Sequence, residues 1–171
     1  MNAGKAILFT GIFAGAGYLA WKASEVVKWK GITSEIKNVK FKDIYGGKVR
    51  LDLVMKTNNP ATITAPIDMV DLAVLINGKK VATIKEPGET PIKPGPGEVV
   101  FKAEIPVIGF AMAIASEAIN VIASGATSYA AKVNIDGMLR LQKKAIVQYN
   151  DEFELPVPID AVKSVINLFK K

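Results

Sequence analysis

Between Lys48 and Lys56 the chain places Val49, Leu51, Leu53 and Met55 at every second position, with Arg50, Asp52 and Lys56 among the positions between them. A period of two gathers the apolar side chains on one face of a strand, whereas a helix would scatter them around its axis. The segment therefore predicts a strand with one face in a core and the other in water. The same pattern recurs at Val39 and Phe41 between lysines, from Val70 to Ile76, from Val99 to Ile105, from Val133 to Leu141 with Gly137 as a candidate bulge, and from Ala145 to Leu155. Connections between these segments are short, which favours antiparallel pairing.

Asn77-Gly78 lies between Val74-Leu75-Ile76 and Lys79-Lys80-Val81. This pair matches a tight type I′ hairpin, whose two turn residues both need positive φ. From Glu86 to Gly97 the chain carries Pro87, Gly88, Pro91, Pro94, Gly95, Pro96 and Gly97. That composition excludes a central strand or a helix and predicts an ordered loop that crosses between sheets or runs along an edge. Phe110 to Ala123 is alanine-rich, lacks alternation and stops before Ser124-Gly125, so it predicts one helix capping the sandwich. The alternative, a second membrane span, would bury Glu117 and Asn120 near its centre.

Upstream of the strands, Ala6 to Trp21 is an uncharged run bounded by Lys5 and Lys22. It predicts an N-terminal transmembrane helix anchored through Ile7, Leu8, Phe9, Ile12, Phe13, Tyr18, Leu19 and Trp21, with Tyr18, Trp21 and Trp29 toward the end where aromatic rings settle at a membrane interface. The run is short for a span, and Lys22 and Lys28 can snorkel to lengthen it. A secretory signal peptide, with Ala14-Gly15-Ala16 as the cleavage site, and a buried helix of a globular body are the competing readings. Gly11 and Gly15 form a GxxxG pair on which helices could pack. Val26 to Ile36, rich in lysine, suits a membrane surface. More lysines follow the run than precede it, which places the body on the cytoplasmic or interior side of a single-pass membrane protein, in a cell or a virion membrane. At the other end, Val162, Val165, Ile166 and Phe169 share one face of a short amphipathic helix, which must dock on the body, on a partner or in a lipid interface.

The chain of 171 residues is 50% hydrophobic, enough for one core, and its +6 net charge is interspersed with acids rather than interleaved with aromatics. Nucleic acid is therefore not an expected partner. Cysteine and histidine are both absent. Disulfides, thiolate metal sites and thiol catalysis are excluded, and hydrolytic and zinc mechanisms lose their usual general base and ligand. Neither a metal nor any other cofactor is expected.

The order of these elements resembles the late embryogenesis abundant type 2 family, also called the water-stress and hypersensitive-response domain, over about Ile32 to Val157. The resemblance rests on a strand ending in Thr57-Asn58-Asn59-Pro60, a strand pair turning at Asn77-Gly78, the proline- and glycine-rich crossing, an apolar strand followed by one helix, and a closing strand pair that contains Ile135-Asp136-Gly137. It implies an all-β, immunoglobulin- or fibronectin-III-like antiparallel two-sheet sandwich with one capping helix, and it brings no active-site residues. Asn58 and Asn59 can satisfy local backbone groups while Pro60 ends the strand ladder. Three parts are thus expected: an anchor over 1–31, the sandwich over 32–157 and the C-terminal helix over 158–171.

The functional expectation is a non-enzymatic, membrane-anchored module acting by binding or structural support. Its partners would be the lipid bilayer and proteins, or a second copy, met through the two terminal helices. A structural component of a membrane-containing virion and a stress-protective protein are the alternatives. Asp68 and Asp71, or Asp151, Glu152 and Glu154, could be assembled into an acid pair or a calcium site, but each lies beside strands or turns where a solvated face is the ordinary explanation.

Overall fold

The structure, a computed structural model, describes residues 18–85, 90–141 and 145–167. Among the described residues, eight antiparallel strands form two packed sheets. One sheet has the order β1-β2-β6, from Thr33–Tyr45, Lys48–Asn59 and Gly95–Pro106. The other has the order β4-β3-β7-β8, from Lys79–Ile84, Ala65–Ile76, Ser128–Leu141 and Ala145–Pro158, and a short β5 (Thr90–Ile92) pairs with the start of β3.

Central strand β2 shows why the alternation dictates this layering. Val49, Leu51, Leu53 and Met55 are fully buried between the sheets. On the outer face, Lys56 pairs with Glu35, Arg50 with Asp43, and Lys48 with Glu104. Lys37 reaches across from β1 to Glu98 on β6 at 2.7 Å. Exposed pairs of this kind each contribute about 0–1 kcal/mol, so they fix register more than they supply stability. The apolar inner faces, with Phe101, Ile67, Leu72 and Ile135 at their centre, hold the sheets together.

The Asn77-Gly78 turn forms as expected, with φ of 48° and 78°. Helix α2 spans Val107–Ala123, starting three residues before the expected Phe110, and its first N–H donates to Gly47 O at 3.0 Å. It closes the end of the sandwich that carries the β1–β2 and β3–β4 turns. Phe110, Ala111, Ile114 and Ala118 point inward, while Ile108, Met112 and Ile119 stay exposed. Helix α3, Ile159–Asn167, packs on α2 and the strand ends, and its Val162 and Val165 are fully buried in this chain's own core. Ile166 is partly buried against the same core. Phe169 lies outside the described residues.

The N-terminal region departs from expectation. Among the described residues no helix is long and apolar enough to cross a membrane. This overturns the transmembrane helix and, with it, the single-pass membrane location, the interior-side orientation and the virion membrane. Ile7, Leu8, Phe9, Gly11, Ile12, Phe13 and Gly15 lie outside the described residues. Within helix α1, described from 18 to 28, the physical reason is visible. One turn after Trp21 the helix turns Glu25 into the body, and the turn that follows buries Trp29, followed by Ile32 and Ile36. The lysine-rich stretch expected at a membrane surface contains the turn Trp29–Gly31, through which α1 joins β1.

Candidate functional site

The end of the sandwich opposite α2 gathers α1, the segment between β2 and β3, and β5. Its centre is Asn59, the last residue of β2, whose side chain points inward and is 1% exposed. Its Oδ1 accepts from Ala61 N at 3.0 Å, closing a local turn. Its Nδ2 donates to Ile63 O at 3.0 Å and to Ile92 O at 3.1 Å. One amide thus joins the end of a strand in the first sheet to β5 in the second. Asn58 and Pro60, on either side, are exposed, and the ring of Pro60 lies against the backbone of Gly31 in the turn after α1. Gly137, the other residue implied by the family resemblance, lies on β7 opposite Leu72. The structure does not bring it to this end.

Glu25 fastens α1 here. It is 2% exposed and accepts hydrogen bonds from Lys28 Nζ at 2.5 Å, from Thr62 Oγ1 at 2.8 Å and from Thr62 N. The Lys28 bond, followed by the two from Thr62, holds its carboxyl down at about 2 against an ordinary 4.5. A depressed carboxylate contributes stability that is complete above its unfolded value and lost as pH falls through its folded one. Acid titration from pH 4.5 down to about 2 is therefore expected to release α1. In a Trp21→Phe background, which leaves Trp29 the sole tryptophan, emission should shift to the red over that range, and adding Glu25→Gln should shift it already at neutral pH, with no acid step.

Between α1 and the body lies an open groove of about 610 Å³, bordered by Tyr18, Trp21, Trp29, Ile63, Pro66 and Pro91. Tyr18 and Trp21 stack loosely, with ring centroids 5.8 Å apart, and are 57% and 45% exposed, while neighbouring Leu19 is 66% exposed. Large apolar side chains in water beside a groove are the usual ingredients of a contact surface. The acidic side chains are not gathered in a comparable way. Asp68 faces Arg140 at 3.4 Å, Asp71 is exposed, and Asp151, Glu152 and Glu154 follow one another along β8. Among the described residues no group of three or more acidic side chains is arranged to hold a metal ion.

Sequence reasoning missed Glu25 and Trp29 as parts of the body. It also missed Asn77 as more than a turn residue, since its side chain bonds to both α2 and β7. For Asn77 the only available signal was the Asn-Gly pair, and for Glu25 there was none.

No protein-family model matches the chain, and no curated protein matches it. Among solved structures, the Arabidopsis thaliana protein AT1g01470 is similar at 13% identity over 73% of this chain and 80% of its own, with a TM-score of 0.50. A candidate late embryogenesis abundant protein is similar at 17% identity over 92% of this chain and 89% of its own, with a TM-score of 0.48. A protein from Archaeoglobus fulgidus is similar at 16% identity over 70% of this chain and 97% of its own, with a TM-score of 0.45. At 13% identity the Arabidopsis likeness is one of fold.

Proposed function

We propose that the chain is a non-enzymatic sandwich module that acts by binding, and that its role is protective: it covers apolar surface exposed on other proteins under stress. The observation that carries this reading is the division of labour around the groove. The buried polar groups there, Asn59 and Glu25, are committed to internal hydrogen bonds, whereas Tyr18, Leu19 and Trp21 stay exposed. Buried polar groups used in this way hold structure, and exposed aromatics beside a groove are suited to contact. The family resemblance carried by Thr57-Asn58-Asn59-Pro60 supports the stress-related part of the reading.

The test mixes the full chain with a heat-labile enzyme and follows aggregation by light scattering as the temperature rises. Suppressed scattering is expected. Leu19→Ser with Trp21→Ser should weaken it while moving the chain's own stability by no more than about 0.5 kcal/mol, as for surface changes generally. Scattering that is unchanged by an excess of the chain, or a double variant as protective as its parent, would contradict the proposal.

A further inference from the structure

Asn77 is followed by glycine, the neighbour that least hinders a backbone amide from reaching the side-chain carbonyl carbon before it. In the fold this side chain is a junction. Its Oδ1 accepts from Lys132 N on β7 at 3.0 Å. Its Nδ2 faces three acceptors: the Tyr129 hydroxyl at 2.6 Å, Glu117 Oε2 at 3.2 Å and Ala113 O at 3.3 Å. The Tyr129 hydroxyl in turn donates to the same Glu117 oxygen at 2.8 Å. One amide therefore ties the β3–β4 turn to α2 and to β7.

We propose that Asn77 is a modification site, at which deamidation releases α2 from the β3–β4 turn. Gly78 N attacks Asn77 Cγ, the new C–N bond closes a succinimide, the Cγ–Nδ2 bond breaks, and ammonia leaves with the proton from Gly78 N. Water then opens the ring at either carbonyl, leaving aspartate or isoaspartate. The product cannot rebuild the junction. Both Nδ2 donors are gone, and a carboxylate stands where Glu117 and the Ala113 carbonyl expect a donor. The single Tyr129 proton can serve only one of the two carboxylates. Lys79, which donates to Met112 O at 2.9 Å on the same flank of α2, offsets part of the repulsion. In isoaspartate the backbone also gains a methylene, which displaces the Asn77 N to Lys132 O bond of 2.8 Å.

While the fold is closed, both ends of the amide are held, so conversion proceeds from opened molecules. The site then acts as a one-way record of unfolding. To test this, the full chain is incubated at mildly alkaline pH with and without urea, and its peptides are analysed for the gain of about one mass unit that marks deamidation. Conversion at Asn77 is expected to be roughly tenfold or more faster in urea, because opening is required. Asn77→Asp stands in for the aspartate product. In it the amides of Val107–Ala123 should exchange hydrogen faster, and adding Glu117→Gln should recover part of the protection. Should Asn77→Asp not fold, the more acidic fraction separated from incubated wild type gives the same reading. Equal conversion with and without urea, no gain at Asn77, unchanged α2 exchange in the aspartate form, or no recovery with Glu117→Gln would each overturn the proposal.

Discussion

Gly137→Ala is expected to leave the chain unable to close its second sheet. Gly137 adopts φ of +148° where β7 crosses Leu72 of β3, and a Cβ there would lie 2.1 Å from Asp71 O and 2.9 Å from Leu72 Cα. Both are backbone atoms of a strand paired on either side, so neither can yield without breaking the ladder. The backbone approaches too closely for any side chain, and the conformation is one that L residues rarely adopt. The cost should exceed about 4 kcal/mol, a large share of the 5–15 kcal/mol that keeps a domain folded. Circular dichroism and urea unfolding of the variant measure it. Gly78→Ala provides the comparison, because Gly78 also has positive φ but open space around it. Strain alone should cost that variant roughly 1–2 kcal/mol. Equal stability of the two variants would show that the close approach at Gly137 is not the controlling feature.

Asn59→Ala should be nearly as damaging, and Asn58→Ala should not be. Removing the Asn59 amide orphans the Ile63 and Ile92 carbonyls and the Ala61 N–H at once. At about 1–3 kcal/mol for each buried group left unpaired, the three together span roughly 3–9 kcal/mol, and the loss should fall in the lower half of that range because Ile63 is only partly buried. Asn58 is exposed, and its loss should stay within about 0.5 kcal/mol. Urea midpoints of the two single variants measure the difference. Comparable losses would mean that the pair acts through turn propensity rather than through the bonds of one buried side chain.

What was legible in the sequence follows the range of the interactions that write it. Alternation at Val49, Leu51, Leu53 and Met55 is a local pattern, and so is the Asn77-Gly78 turn, so strands and hairpin could be placed before the sheets were known. Val162 and Val165 were visible as one helical face for the same reason. The proline-rich segment was half legible. Its composition excludes a central strand, yet β5 and the start of β6 fall within it, because both run along sheet edges where Pro91 and Pro96 need not donate on both sides. Asn59 could be recognised as a strand-ending residue. Its bond to Ile92, which lies 33 residues away, is set by how the two sheets meet and leaves no local trace. Glu25 and Thr62, 37 residues apart, are hidden in the same way. Of the apolar run only the part from Tyr18 to Trp21 falls within the described residues, and the helix continues from it into Glu25 and the turn at Trp29, two residues whose burial in the body a hydropathy pattern does not reveal.

In the proposed function, buried polar groups at the α1 end keep the fold and exposed aromatics beside them make contact with other proteins. Fluorescence of Trp29→Phe tests this most directly. Among the described residues the Trp29 indole N–H has no hydrogen-bond acceptor, so phenylalanine removes no bond, and Trp21 becomes the sole tryptophan. Adding a heat-unfolded client protein free of tryptophan should shift Trp21 emission to the blue as its ring leaves water. An emission maximum that stays in place while the chain still suppresses client aggregation would contradict the assignment of this surface.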